Sequence, residues 1–254
     1  MIAAALAIAS VTSAAAGTNS SATSASSSVA TSSSTPAGST SAAASAKQPW
    51  TGYVLVGHKV GFRQVTADFK IPVVSCTAPG SKASFWIGLD GYNNGTVEQV
   101  GISTNCDNVP EYTAWFQMWP STINYQFLVH PGDSIAMSVA YVSGHWALAL
   151  KDLTDGQKFN VSEKCPSGKV CENMTAEAIL EAASGSNLSS FNTTGFTEFQ
   201  AVDSTGAKTG LVANGDLWGL AKVLMTGTNG QPLADLSTIT DSGENFSFVY
   251  KQAT

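Results

Sequence analysis

The stretch Ser134-Ile-Ala-Met-Ser-Val-Ala-Tyr141 sets Ile135, Met137, Val139 and Tyr141 against Ser134, Ala136, Ser138 and Ala140. Apolar residues at every second position turn one face of an extended chain toward a core and leave the other to solvent. The same period of two runs through Gln64–Ile71, where Val65, Ala67, Phe69 and Ile71 alternate with Gln64, Thr66, Asp68 and Lys70. It returns near the C-terminus, where Phe246, Phe248 and Tyr250 alternate with Ser247 and Val249. Turn residues gather between such runs, as at Pro131-Gly132-Asp133 and Thr154-Asp155-Gly156. Many short strands broken by turns predict an all-β fold, an antiparallel two-sheet β-sandwich of the jelly-roll or concanavalin-like kind.

One segment resists this pattern. Thr175-Ala-Glu-Ala-Ile-Leu-Glu-Ala-Ala183 has high helix propensity. As a strand it would put Glu177, Ile179 and Glu181 on one face and Ala176, Ala178 and Leu180 on the other. The residues alone leave helix and strand both open.

Composition narrows the function classes. Only 12% of the 254 residues are charged, against about 25% in an ordinary globular domain. The formal net charge is −6 with 12 Lys and Arg, which excludes a basic surface for nucleic acid. A chain with few ionised carboxylates loses less stability in acid. The composition therefore suits work at low pH, and equally a Ser/Thr-rich secreted domain with no acid role.

Residues 1–16 form a short apolar run ending in Ala14-Ala15-Ala16, read as a signal peptide, whole or in part, without a basic n-region, since the first Lys is Lys47. Residues 17–46 are almost entirely Ser, Thr and Ala and predict a disordered stalk or pro-segment. Residues 47–254 make one domain, with folded sequence from about Trp50. No later segment reaches the roughly 18 apolar residues of a membrane span. Asn-x-Ser/Thr sequons at Asn19, Asn94, Asn160, Asn173, Asn187, Asn192 and Asn245 point to a glycosylated, extracellular product. The four cysteines allow three pairings, of which Cys76–Cys106 with Cys165–Cys171 is favoured. Zinc is the alternative use, but no C-x-x-C or neighbouring His supports a metal, and no cofactor is expected.

Familiar hydrolase constellations are missing. His58, His130 and His145 are scattered, and no G-x-S-x-G elbow occurs. Asp241-Ser242-Gly243 resembles half of an aspartic-peptidase site, but a second copy is absent and the segment reads as a turn. Two aromatic strands stand out instead. In Ser84-Phe-Trp-Ile-Gly-Leu-Asp-Gly91, Trp86 shares a face with Gly88 and Asp90. In Ala114-Trp-Phe-Gln-Met-Trp-Pro120, Trp115, Gln117 and Trp119 share one face, and Phe116 and Met118 the other. A face mixing Trp with an amide is a floor for an extended ligand, or else part of an ordinary core.

These segments resemble a known family. Ser84-Phe-Trp-Ile-Gly-Leu-Asp-Gly-Tyr-Asn-Asn-Gly-Thr-Val-Glu-Gln-Val-Gly101 is similar to the central signature of the glutamic peptidases, the eqolisins. Trp50-Thr-Gly-Tyr53, Val65-Thr-Ala-Asp-Phe69, Tyr112–Pro120, Pro131-Gly-Asp-Ser-Ile135 and the A-E-x-I-x-E segment Ala176–Glu181 match in the same order. The resemblance implies a curved sandwich with its active site on the concave face, and a strand over Ala176–Glu181. It implies a secreted, monomeric acid endopeptidase, insensitive to pepstatin, acting on protein and peptide substrates without a metal. Gln99 and Glu181 are then the catalytic pair. Trp86, Asp90, Trp115, Gln117 and Trp119 are the expected substrate-binding residues, of which Trp86 and Asp90 match family positions that line the site and hold the pair.

Amide hydrolysis needs a base for water and a donor for the oxyanion. A glutamate with an ordinary value near 4.3 serves as base in acid, and a glutamine amide donates without titrating. Cleavage is therefore expected near pH 2 to 5. The chain departs from the family at Gln117, where relatives carry Glu, at Trp119, where they carry Tyr, and at Ser184, where some carry a further acid. The rival readings are a jelly-roll glycoside hydrolase, using two of Glu98, Glu111, Glu177, Glu181 and Glu198, and a carbohydrate-binding module with an aromatic platform.

Overall fold

The computed structural model describes residues 49–182 and 187–251. The expected signal peptide and stalk, together with Ser184, lie outside the described residues. The strands run β1 (Trp50–Gly57), β2 (Phe62–Lys70), β3 (Val74–Ser75), β4 (Ser81–Leu89), β5 (Val97–Cys106) and β6 (Pro110–Trp119). They continue with β7 (Asn124–Leu128), β8 (Ser134–Val142), β9 (His145–Asp152), β10 (Lys158–Glu163), β11 (Thr175–Glu181) and β12 (Ser190–Phe191). The last are β13 (Thr194–Asp203), β14 (Lys208–Thr209), β15 (Trp218–Val223), β16 (Ala234–Leu236) and β17 (Phe246–Tyr250).

They form two antiparallel sheets and a small ribbon of β12 and β3. One sheet has seven strands in the order β15-β1-β11-β4-β5-β6-β7. The other has eight, ordered β10-β9-β8-β2-β13-β17-β16, with β14 paired to β13. Their inner faces share one apolar core: Phe85, Ile87, Leu89, Phe116 and Met118 from the first sheet meet Val65, Phe69, Ile135, Val139 and Phe248 from the second. The alternation read from the sequence is this inner face. It ends at Tyr141, which lies at the margin and is partly exposed.

The ambiguous segment is strand β11, as the family resemblance implied. Ala176, Ala178 and Leu180 enter the core, and every residue from Thr175 to Leu180 is buried. Its neighbours β1 and β4 take up its backbone hydrogen bonds on both sides. Burying one Leu or Ile is worth about 1.5–3 kcal/mol, whereas helix propensities differ by about 0.7 kcal/mol or less per ordinary residue. Burial wins.

The seven-stranded sheet is covered on its outer face too. Trp50, Val54, Trp86, Val97, Trp115 and Ile179 make a second apolar cluster there. That cluster needs glycines beside it. A Cβ on Gly101 would stand 2.5 Å from both the Phe85 carbonyl oxygen and Trp86 Cβ. Cys76–Cys106 and Cys165–Cys171 are disulfides, the pairing favoured from the sequence. Asp241–Gly243 is a short 3-10 turn before β17.

Candidate active site

Strand register builds the site on the outer face. Trp50, Glu181, Ser84, Ser103 and Thr113 are consecutive Cα partners across β1, β11, β4, β5 and β6. Two residues along, Gly52, Ile179, Trp86, Gly101 and Trp115 form the next row. Val54, Glu177, Gly88, Gln99 and Gln117 form the third. Gln99 and Glu181, distant in sequence, thus stand two strands apart with Trp86 between them.

Both line one cleft of about 440 Å³, with Pro49, Trp50, Ser84, Trp115, Gln117, Trp119 and Ile123 among its walls. Glu181 is the only titratable side chain among the described residues lining it. A second groove of about 480 Å³ adjoins it, sharing Ser84 and Ile123 and running on over Ser103, Thr113, Tyr125 and Leu128. The two together suit an extended chain better than a compact ligand.

Glu181 is held by indoles. Trp86 Nε1 donates to its Oε2 at 2.9 Å, and Trp86 packs edge-on against Trp50 with ring centroids 4.9 Å apart. Burial pushes the Glu181 carboxyl up to about 7, while hydrogen bonds from Trp86 and Trp50 pull it back. The ordinary value expected from the sequence is therefore corrected upward, because two large rings replace water around the carboxyl. Gln99 is buried; its Nε2 donates to Gln117 Oε1 at 3.0 Å. Gln99 Oε1 and Trp115 Nε1 are buried with no protein partner.

Trp86 and Asp90, expected among the substrate-binding residues, do not line the cleft; both are fully buried beneath it. Trp86 supports Glu181. Asp90 adopts φ 64° and accepts hydrogen bonds from the Asn173 and Met174 backbone N–H groups at 2.7 and 2.8 Å. Asn94 Nδ2 donates to it at 2.8 Å, and Asn94 Oδ1 accepts from Gly91 N–H at 2.6 Å. Asp90 thereby ties the β4–β5 loop, whose Gly91 and Asn94 border the cleft, to the lead-in of β11. Trp115 and Gln117 line the cleft; Trp119 lies half-exposed at its rim.

Two further carboxyls sit near Asp90, fully buried. Glu98 is pushed up to about 9, by burial first and then by the charge of Asp90. Glu177 is raised well above the ordinary range, again by burial first. In the sequence both belong to family-like segments, and the only chemical role they suggest there is that of glycosidase carboxylates. Of the five carboxylates in that reading, Glu181 alone lines the cleft, while Glu111 lies in the adjoining groove. Trp50 was read only as part of the family resemblance, and its role at Glu181 has no signal in local sequence.

Comparison with known proteins gives the family and the fold. A model of the Peptidase A4 family matches residues 48–246. Among solved structures, scytalido-glutamic peptidase with a peptide-based transition-state analogue is similar, at 27% identity and a TM-score of 0.66, over 80% of this chain and 98% of that chain. SCP-B, an eqolisin in complex with the tripeptide Ala-Ile-His, is similar at 26% identity and a TM-score of 0.63, over 80% and 98%. Aspergilloglutamic peptidase from Aspergillus niger shares the fold at 24% identity and a TM-score of 0.57, over 67% and 99%. No curated protein sequence matches the chain.

Proposed function

Because the chain belongs to the Peptidase A4 family, we propose that it is a secreted endopeptidase that cuts proteins in mild acid with Glu181 and Gln99. The observation carrying this reading is one cleft lined by a single carboxyl and a buried amide, with apolar rings as walls.

The roles follow from the atoms. Trp86 Nε1 donates to Glu181 Oε2 and Trp50 donates to the same carboxyl, which leaves lone pairs to take a proton from water as the water oxygen attacks the peptide carbonyl carbon. The oxygen of that carbonyl gains the charge. Gln99 spends one Nε2 hydrogen on Gln117, and its second hydrogen serves the oxyanion, a donor worth about 3 kcal/mol in the transition state. Glu181 then returns the proton to the leaving nitrogen as the C–N bond breaks. Trp115 Nε1, buried and unpaired within the protein, is a further donor for substrate.

A carboxyl near 7 changes the expected pH range. Two pH units below that value, about one molecule in a hundred is ionised, but the base is correspondingly stronger. Rate per mole rises with pH toward about 7, while the buried Glu98 and Glu177 make the fold less stable over the same range. The active range is then expected to lie above that of an ordinary glutamate. Secretion is supported by the two disulfides and the sequons. Among the described residues no helix is long and apolar enough to cross a membrane. The enzyme is read as a monomer with residues 47–254 as its peptidase domain.

The test is digestion of denatured casein by the wild type, Glu181→Gln and Gln99→Ala, with pepstatin present and melting curves as the fold control. Both variants should lose at least about a hundredfold in kcat. Full activity in either variant removes the dyad; cleavage of β-glucan without proteolysis overturns the peptidase reading.

A further inference from the structure

Gln99 can donate to an oxyanion only if its amide stands the right way round. Its two ends are nearly equal in size, so sterics alone hardly choose between them. The choice is made by neighbours. Gln99 and Gln117 are Cα partners on β5 and β6, and both side chains are buried. Gln117 Nε2 donates to the Ser121 backbone carbonyl at 2.7 Å. That carbonyl can only accept, so the nitrogen of Gln117 must face it and the oxygen must face Gln99. Gln99 must then present Nε2, as it does at 3.0 Å. The anchor is itself fixed, since Ser121 N–H donates to the Met118 carbonyl at 2.8 Å.

We infer that Gln117 is a positioning residue for the proposed catalytic amide, setting the direction of Gln99 through a one-way relay anchored on the Ser121 carbonyl. This rests on the reading of Gln99 as oxyanion donor. It reassigns Gln117 from the substrate-binding set to the support of the chemistry. It also gives a reason for an amide here. An ionised carboxylate could accept from Gln99 but could not donate to Ser121. A protonated carboxyl does both. The amide therefore holds at every pH a geometry that a carboxyl holds only in acid. The titratable groups around the relay are Glu181 in the same cleft, Glu177 in the same cross-strand row, Glu98 next to Gln99 on β5, and the Tyr125 phenol on β7 in the adjoining groove.

The experiment measures kcat and KM from pH 3 to 8 for wild type, Gln117→Leu and Gln117→Glu, on a quenched fluorogenic peptide taken from a casein cleavage site. Gln117→Leu frees the Gln99 amide to turn over; with its two ends nearly equal, that alone halves the productive population, and losing the anchor on Nε2 brings the expected fall in kcat to about two- to tenfold, with KM little changed. Gln117→Glu keeps an acceptor for Gln99 and, while protonated, a donor for Ser121, so at pH 3–4 its kcat should match that of the wild type. Gln117→Leu with wild-type kcat, or Gln117→Glu no better than Gln117→Leu at pH 3–4, overturns the relay. If Gln117→Leu does not fold, Gln117→Met takes its place. Gln99→Ala separates the two ideas: an inactive Gln99→Ala beside a fully active Gln117→Leu removes the relay and leaves the dyad. A fully active Gln99→Ala removes both.

Discussion

Replacing Glu98 by Gln should make this protein hold its fold better as pH rises. Glu98 is fully buried, and its carboxyl is pushed up to about 9. In the unfolded chain the same group titrates near its ordinary value of about 4.3. Between those values the native state carries a proton that the unfolded state has lost. Stability is therefore fully present below about pH 4.3 and drains away as pH climbs toward 9, by about 1.4 kcal/mol per unit. From pH 5 to 7 the loss from this one group is about 3 kcal/mol, two units at that slope. A glutamine amide has the same shape as the carboxyl and cannot ionise, so Glu98→Gln should lose about 3 kcal/mol less over the interval. For a domain of this size that is a relative gain of about 6–12 °C in Tm at pH 7. Urea titrations at pH 5 and 7, with m checked for constancy, measure it directly. Glu177 acts in the same direction, so the wild-type slope should exceed that of one proton. Parallel losses in wild type and Glu98→Gln would show that Glu98 is not held neutral in the native state.

Other expectations concern the site and its frame. Trp86→Phe removes the N–H that donates to Glu181, so the acid limb of kcat/KM should move up by about one pH unit; a pH–rate profile checks this, and an unmoved limb contradicts it. Gly101→Ala drives a Cβ to 2.5 Å from the Phe85 carbonyl oxygen and from Trp86 Cβ. It should cost about 1–3 kcal/mol in melting experiments and lower kcat by displacing the indole that holds Glu181. Cys76→Ser/Cys106→Ser opens a closure of sequence separation 30 and should cost about 3–4 kcal/mol, against about 2 kcal/mol for the Cys165–Cys171 closure of separation 6. Urea midpoints of the two double variants rank them.

The inner faces of the sandwich were plain in the sequence, because a strand half-buried against one core writes its burial as a period of two. Strand β11 was not, since Ala, Glu, Ile and Leu favour a helix locally and only its two neighbouring strands decide otherwise. The site was legible through family signatures and not through periodicity. Row by row, Glu181 meets Ser84 and Gln99 meets Gly88; register sets both pairings, and the first joins strands far apart in sequence. The upward shift of Glu181 could not be read because Trp50 and Trp86 become its neighbours only in the folded sheet. Trp86 and Asp90 carried a signal, through the resemblance, of lining the site and holding the pair, but not of depth, since they lie beneath the cleft. Gln117 was visible as a departure from the family, yet its partner, the Ser121 carbonyl, belongs to the backbone, where sequence has no voice.

The proposed reacting groups all stand in the interior of strands or at a strand end, whereas Gly91, Asn94 and Ile123, which border the same cleft, belong to loops. Reactivity and selectivity are thus written in separable parts of the chain. A laboratory library that randomised 92, 93, 95 and 122–123 while sparing Asp90, Gly91, Asn94, Thr96 and Ser121 would sample new sequence preferences on an unchanged reactive centre. Such a fold is a ready chassis for tailored cutting tools, in which taste can be altered without touching the teeth.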